Sequence, residues 1–440
     1  MNVHPTLSTV AHSRRGHLLI LLFAGAGTVF DGANFAILLL FLAPLAQYFK
    51  TSLLALAVLQ AVSYLAGIAD GFVFGIIADR WGRRAGLTLT VAAYSLFGLA
   101  SAFSPDFAAL FLLRVLTGLG IGGETGIAYA YLNEARGTSR RGAYSGLLQG
   151  MFPLGSFLAT FLFVTTSHWY GAEAWRYAFA YLGGAAVLAA LIRLLLPESG
   201  PWLEYRRARR ENRVSAPSEL GVLFGPDRRR PTLLLAGLMT FGFLGSTAVT
   251  TYAPAVWLTV YRVNVATIGD LGYLGTLSIF PSFVLFGVLS DLWGRRRAFI
   301  ASAAVGTAGY AFYAWLVATG ADRVSRTAPL GSPAFAAYMW MLFAAGYLGI
   351  QGVWMAEILP TGVRATGINL SYYLGRGLGG GLAPLAALAL THLLALDLRW
   401  AVVAGLLGTL GAAVFAVFLP ETRNVPLNPA PHLTEAVEAE

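Results

Sequence analysis

The sequence predicts an all-α membrane protein with twelve transmembrane helices in two pseudo-symmetric six-helix bundles. Three observations carry this expectation. The composition is too apolar for water, the chain divides into twelve apolar segments of spanning length, and one set of loop motifs occurs twice in the same order.

The chain has 440 residues, of which 57% are hydrophobic and 12% charged, with mean hydropathy +0.66. A soluble chain carries about 25% charged residues, so the solvent for this surface is lipid. The net charge of +9 rests almost wholly on arginine, since Lys50 is the only lysine. Such a charge on a soluble chain points to nucleic acid. Here the arginines sit in short loops between apolar runs, where they set membrane orientation instead, and no nucleic-acid partner is expected. The absence of cysteine excludes disulfides, thiol catalysis and cysteine metal sites. The six histidines show no ligand spacing, no Walker-type glycine loop is present, and no nucleophile–base–orienter set suggests an enzyme. No metal and no cofactor are expected.

A span needs about 20 apolar residues. Twelve segments qualify: 17–47, 53–78, 85–104, 107–132, 142–166, 174–196, 232–260, 266–290, 298–319, 334–358, 365–392 and 399–419. The first is too long for a signal-peptide core and no cleavage pattern follows, so it reads as a retained span. The arginine-rich stretch 197–231 is the expected linker between an N-terminal bundle, 1–196, and a C-terminal bundle, 232–423. The polar tail, 424–440, is expected to be disordered. Loops on the side of the N-terminus hold Arg80, Arg83, Arg84, Arg136, Arg140, Arg141, the linker arginines, Arg295, Arg296, Arg297 and Arg364. The opposite loops hold Lys50, Arg176, Arg262, Arg323, Arg326 and Arg399. The positive-inside rule then places both termini and the linker in the cytoplasm. Heavy use of arginine over lysine suggests a GC-rich genome, hence a bacterial inner membrane.

The repeat is the strongest signal. Gly75-Ile-Ile-Ala-Asp79-Arg80-Trp81-Gly82-Arg83-Arg84 follows span two, and Gly287-Val-Leu-Ser-Asp291-Leu-Trp293-Gly294-Arg295-Arg296 follows span eight, an offset of 212 from Asp79 to Asp291. Glu134 with Arg140 and Arg141 after span four matches Glu357 with Arg364 after span ten, and Pro197-Glu198-Ser199 matches Pro420-Glu421-Thr422, each glutamate offset by 223. Three matched elements in the same order mark a duplicated unit. Glycine allows a tight turn, aspartate caps helix starts and pairs with arginine, and paired arginines hold the loop at the cytoplasmic face. Asp79, Arg83, Glu134, Arg140, Asp291, Arg295, Glu357 and Arg364 thus form the expected conformational latch, able to break and re-form as the halves rock.

These motifs, together with the run from Arg114 through Gly118, Gly120, Gly122 and Gly123 to Glu124, resemble the major facilitator superfamily over nearly the whole chain. The resemblance implies alternating access about a central cavity. Phe30-Asp31-Gly32, Gly122-Gly123-Glu124 and Gly375-Arg376-Gly377 are similar to segments of metabolite:proton symporters for carboxylates, the sialate and lactate carriers among them. Gly150, Pro153 and Gly155 match the span-five pattern of drug antiporters poorly.

Five ionisable residues fall inside spans: Asp31, Asp70, Arg114, Glu124 and Arg376. Such groups are costly in lipid and are functional candidates by default. None recurs at the repeat offset, unlike the loop charges. Asp31 and Arg114 are expected to pair, either as a structural ion pair or as a proton site in which Asp31 cycles between protonated and paired forms. Glu124 is either a second protonation site or a partner for a loop arginine. Asp70 extends this network or faces a polar seam. Arg376 stands about 18 Å into span eleven at 1.5 Å per residue. There a guanidinium suits bidentate capture of a carboxylate, or else pairs with Asp70, Glu124 or another acid across the interface. Asn34, Gln60, Tyr64, Tyr129, Gln149, Tyr252, Gln351, Trp354, Asn369 and Tyr372 are further candidates for the cavity wall.

The expected function is proton-coupled transport of a small organic anion, a carboxylate, by a monomer whose partners are that solute, protons and the bilayer. Arg376 would bind the anion, with Asp31, Arg114 and Glu124 in proton coupling. A sugar or polyol:proton symporter is the alternative, and an organic cation or drug exporter the third. A transporter-shaped receptor would be expected to carry a large cytoplasmic extension, and the termini read as short.

Overall fold

The computed structural model describes residues 14–135, 140–194, 197–211, 219–325 and 328–427. Arg136, Arg213 and Arg326, the end of the tail, and the side chain of Tyr64 lie outside the described residues. The twelve expected spans are twelve helical segments: α1 (Arg14–Leu40, continued as Leu42–Tyr48), α2 (Leu53–Trp81), α3 (Arg83–Ser101), α4 (Phe107–Ile121 and Glu124–Glu134), α5 (Arg141–Tyr170) and α6 (Ala174–Arg193) in the first half. The second half holds α7 (Arg229–Thr259), α8 (Val265–Trp293), α9 (Arg295–Thr319), α10 (Pro333–Ala344 and Leu348–Ile358), α11 (Arg364–Gly375, then Arg376–Leu382 and Ala383–Leu393) and α12 (Arg399–Val403 and Gly405–Phe418). Among the described residues, nine stretches are apolar and long enough to cross a membrane by length and composition, and one of these, Arg141–Leu191, contains both α5 and α6. The helices outside those stretches are α3 and α11: α3 begins with two arginines, and α11 carries Arg364, Asn369 and Arg376. Two helices, Gly200–Arg210 and Glu219–Leu223, lie in the expected linker.

Helix starts divide by membrane side. On the side away from the arginine-rich loops, α2, α4, α8 and α10 are capped by their own preceding side chains: Ser52, Asp106, Asn264 and Ser332 accept from the backbone N–H three residues on. On the arginine-rich side, α3, α5, α9 and α11 take carboxylates from elsewhere in the chain, described below. Gly82 (φ +117°) and Gly294 (φ +96°) make the turns from α2 to α3 and from α8 to α9, a backbone region that a side chain would strain.

The halves meet along α5 with α8 and α2 with α11, while α7–α12 and α3–α6 pack within the halves. Both seams rely on backbone contact. A Cβ at Gly146 would lie 2.2 Å from the Phe283 carbonyl, and one at Gly287 would lie 2.4 Å from the Gly142 carbonyl. On the other seam, a Cβ at Gly75 would lie 2.6 Å from Thr366 Cα. The repeat-related helices α4 and α10 are broken at equivalent positions: α4 at Gly122–Gly123, and α10 at Ala345–Tyr347.

The linker is strapped to α2 by Arg80, which donates to Glu219 at 2.6 and 2.8 Å. That hydrogen bond holds the Glu219 carboxyl below its ordinary 4.5. The strap therefore stabilises above about pH 4.5 and is lost as the pH falls through the lowered value. Arg80 is half exposed, so Arg80→Ala is expected to lower stability by no more than about 1 kcal/mol, only above that pH, with transport retained; thermal unfolding across pH checks this. The seam makes a stronger prediction. Gly146→Val and Gly287→Val cannot close α5 on α8, so transport should fall about tenfold or more. A single cysteine at Tyr129, clean to read in a chain with no cysteine, should gain reactivity from the arginine-rich side.

Candidate functional site

Two charged constructions occupy the interface between the halves. The first is the latch, and it obeys the repeat. Arg83 donates to Glu134 through Nε and Nη2 at 3.0 and 2.8 Å and to Asp79 at 2.6 Å. Arg295 donates to Glu357 at 2.9 and 2.8 Å and to Asp291 at 2.6 Å. Glu198 accepts the backbone N–H of Arg83 at 2.9 Å and Glu421 that of Arg295 at 2.8 Å, which caps α3 and α9. Ser199 and Thr422 donate to Glu134 and Glu357 at 2.6 and 2.7 Å. The P-E-S and P-E-T elements are thus helix caps and hydroxyl partners of the latch. Burial pushes the Glu198 carboxyl up, against the pull of those N–H groups.

The latch also crosses between halves. Asp79 accepts the N–H of Thr366 at 2.8 Å and that of Ala365 at 3.2 Å, at the start of α11. Asp291 accepts those of Gly142 and Ala143, both at 2.9 Å, at the start of α5. Each half caps a helix of the other, where the positive end of the helix favours a carboxylate. Arg364 reaches Glu134 at 2.6 Å. On the other seam, the expected Arg140 is exposed, in a left-handed turn (φ 59°) that starts α5. Its neighbour Arg141 faces Glu357 instead, at 3.7 Å. The turn leaves Arg140 outward, and the 223 offset from Arg364 falls on Arg141.

The second construction is a cavity of about 470 Å³, counting its open mouth. It is walled by Asp31, Asn34, Phe35 and Leu38 of α1, Gln60, Ser63 and Gly67 of α2, Arg114, Thr117, Gly118 and Ile121 of α4, and Tyr373 and Arg376 of α11. The expected Asp31–Arg114 pair is not formed. Asp31 faces Arg376 across the halves, with Nη1 at 3.4 Å from both carboxylate oxygens, and Thr125 donates to it at 3.3 Å. Sequence gives the depth of a residue in its span but not the direction in which it points, and α11 turns Arg376 toward α1. The acid across the interface is therefore Asp31, and neither Asp70 nor Glu124. Arg376 lies among the rings of Phe35 and Phe152, 5.2 and 5.4 Å from its guanidinium carbon.

Arg114 is 3% exposed and has no acidic partner among the described residues. Its guanidinium lies over the ring of Phe179 at 3.6 Å, and its Nε has no hydrogen-bond partner. Gln60 Oε1, on the same wall, is also buried without a partner.

Glu124 pairs with Arg193 at 2.6 and 2.8 Å and accepts from Thr90 at 3.2 Å. Its partner is a span-six arginine, not a loop arginine. Arg193 is a sixth buried charge that the sequence reading passed over, although its place within an apolar run is a signal for it. This pair lies inside the first half, behind α1, and off the cavity wall. Asp70 accepts the Gly123 N–H at 3.1 Å and so caps the second part of α4. Asn369 donates to the Gly123 carbonyl at 3.2 Å from the other half.

Of the remaining candidates, Asn34 and Gln60 line the cavity. Gln149 and Gln351 meet at 3.4 Å, and Gln149 also accepts from Tyr129. They form a buried polar layer between the cavity and the latch rather than its wall. Tyr372 packs edge-on to Phe243 at 5.0 Å. Tyr252 lies in a separate core cluster of the second half. Trp354 donates to the Pro420 carbonyl at 2.9 Å, near the latch. Phe35, Ser63 and Thr117 line the cavity and were not singled out from sequence.

Twelve spans in two related halves, closed at one membrane face around a charged central cavity, define a polytopic membrane transporter. The Major Facilitator Superfamily profile matches residues 24–384. The chain belongs to that superfamily. It is 30% identical to the alpha-ketoglutarate permease of Escherichia coli, over 77% of this chain and 78% of that protein. It is 29% identical to a probable 4-methylmuconolactone transporter of Cupriavidus pinatubonensis, over 84% and 82%. Its fold matches that of the proton:xylose symporter XylE bound to 6-bromo-6-deoxy-D-glucose with TM-score 0.75, at 20% identity, over 96% of this chain and 98% of that one.

The latch is expected to be unequal. Asp79 is fully enclosed, whereas the Asp291 side chain is 15% exposed, and Arg364–Glu134 is about 1.1 Å shorter than Arg141–Glu357. Removing one partner of a buried pair costs about 3–5 kcal/mol, so Glu134→Gln, which strands Arg364 and leaves Arg83 with Asp79 alone, should lower stability by about that much. Asp79→Asn should open the arginine-rich face more than Asp291→Asn does. Denaturation of purified protein and accessibility of an introduced cysteine read the two effects.

Proposed function

We propose that the protein carries a small organic anion, a carboxylate, by proton-coupled alternating access. One observation carries this reading: the cavity holds two buried guanidinium groups, Arg114 and Arg376, against one carboxylate, Asp31. With all three ionised, the wall has a net charge of about +1, in a site where charge is weakly screened. An anionic solute satisfies it, and a cation is repelled. Arg376 offers the planar fork suited to a carboxylate. Asp31 is the proton carrier in this reading: taking a proton releases Arg376 for the solute. The relatives named for alpha-ketoglutarate and 4-methylmuconolactone support the same class of solute. Glu124 keeps a structural place here, since Arg193 and Thr90 already satisfy it.

The arginine-rich face is the cytoplasmic one in this proposal, by the positive-inside rule. The state described then has its inner gate shut by the latch and by the Gln149–Gln351 layer. The bundles 1–196 and 232–423 are the moving bodies, joined by 197–231, in a bacterial inner membrane. The second reading, a sugar:proton symporter, draws on Asn34, Gln60 and Ser63, whose amides and hydroxyl also suit polyols.

Uptake into proteoliposomes decides between them. Labelled carboxylates, sugars and organic cations are compared with and without an inward proton gradient, for wild type and Arg376→Ala. Carboxylate uptake should rise with the gradient and fall about tenfold or more in the variant. Sugar uptake indifferent to Arg376 would overturn the anion reading and leave the transporter fold standing.

A further inference from the structure

The two guanidinium groups differ in a way that specifies the solute further. Resting on the anion reading above, we infer that the cavity is built for a dicarboxylate, with one carboxylate seated on Arg114 and the other on Arg376. Arg114 belongs to the first half and Arg376 to the second, and both open onto one cavity.

Arg114 is buried, stacked on Phe179, without an acid among the described residues, and its Nε is unbonded. A buried cation of this kind needs an anion, and the cavity is the open side from which one arrives. Arg376 has an acid, but the contact is loose. Asp31 lies 3.4 Å from it, whereas Glu124 lies 2.6 Å from Arg193 in the neighbouring pair. Strong guanidinium–carboxylate bonds measure about 2.7–2.9 Å. The tight pair is a fixed strut and the loose pair an exchangeable one.

Charge accounting then links the solute to the proton. With Asp31 ionised, the wall carries about one unbalanced positive charge. When a proton from the bulk binds the Asp31 carboxylate, the wall carries two. A dianion balances both guanidinium groups and leaves Asp31 neutral. A monoanion on the protonated site leaves one buried guanidinium without a partner. A monoanion on the ionised site would need no proton at all. A dicarboxylate therefore makes protonation of Asp31 and loading of the cavity mutually favourable and leaves neither guanidinium without a partner. Because the two arginines lie on different halves, the same ligand also ties the halves together.

The test compares labelled succinate, glutarate and adipate with their monomethyl esters, which keep the size and remove one charge. Wild type in proteoliposomes should take up at least one diacid about tenfold faster than its ester, and only the diacid should respond to the proton gradient. Arg114→Gln should cut diacid uptake about tenfold or more and invert the preference toward the ester. Ester counterflow in the variant shows that it is folded. Should the variant fail to fold, the wild-type diacid-to-ester ratio decides alone. An ester carried as fast as its diacid, or an unchanged preference in a folded Arg114→Gln, overturns the dicarboxylate inference while the carboxylate reading stands. Uptake of sugars with neither acid nor ester overturns both.

Discussion

A guanidinium buried in a low-dielectric interior must find an anion, and the structure is organised around that requirement. Arg83, Arg193, Arg295 and Arg364 are all at most 1% exposed, and each meets a carboxylate at 2.6–2.8 Å. Breaking such a pair is expensive because it strands the remaining charge. Between the halves, that cost is what makes the latch a two-state element: the contacts are complete or they are absent, with little in between. The caps that Asp79 and Asp291 give to α11 and α5 have the same character, since helix starts lose both a hydrogen bond and a dipole partner when the halves separate.

Symmetry sorts structural charge from chemical charge. Each latch contact within one half has a counterpart in the other, down to the hydroxyls of Ser199 and Thr422. The cavity has no such counterpart. Three of its walls come from the first half, with α11 alone facing them, and its charged residues do not recur at the repeat offset. A duplicated gate around an unduplicated site is what alternating access requires, because the gate works by repetition and recognition works by difference.

Much of this was legible in the sequence, for reasons that are physical. Spans are read from length and apolarity, which the bilayer imposes, and the twelve segments stand. Latch residues are read from repetition, and Asp79, Arg83, Glu134, Asp291, Arg295, Glu357 and Arg364 form ion pairs and helix caps. Arg140, left-handed and exposed, does not, and the 223 offset from Arg364 falls on its neighbour Arg141, which faces Glu357. The cavity was less legible. Asp31, Arg114 and Arg376 were found by depth, but their pairing depends on helix rotation, which depth does not give. Gln149 and Gln351 meet in a layer below the cavity, and Tyr252 belongs to a core cluster of its own. Arg193 went unremarked because it stands close to a span end, where arginine is ordinary.

One helix joins the two constructions. α11 begins at the latch, where Asp79 holds Thr366 and Arg364 holds Glu134, and reaches Arg376 three turns later. There it widens into a π segment, Arg376–Leu382, rich in glycine, whose Gly379 lies so close to α7 that a Cβ would strike the Thr240 carbonyl at 1.8 Å. Breaks of this type mark functional positions in helices. The stretch from latch to Arg376 is continuous α-helix, whereas the π segment separates it from the remainder of the span. The Asp31 contact of Arg376 and the Asp79 contact of Thr366 thus stand at two ends of one helical stretch. In the proposed reading, a ligand that exchanged partners at Arg376 would bear on the gate through covalent helix, without a relay of side chains.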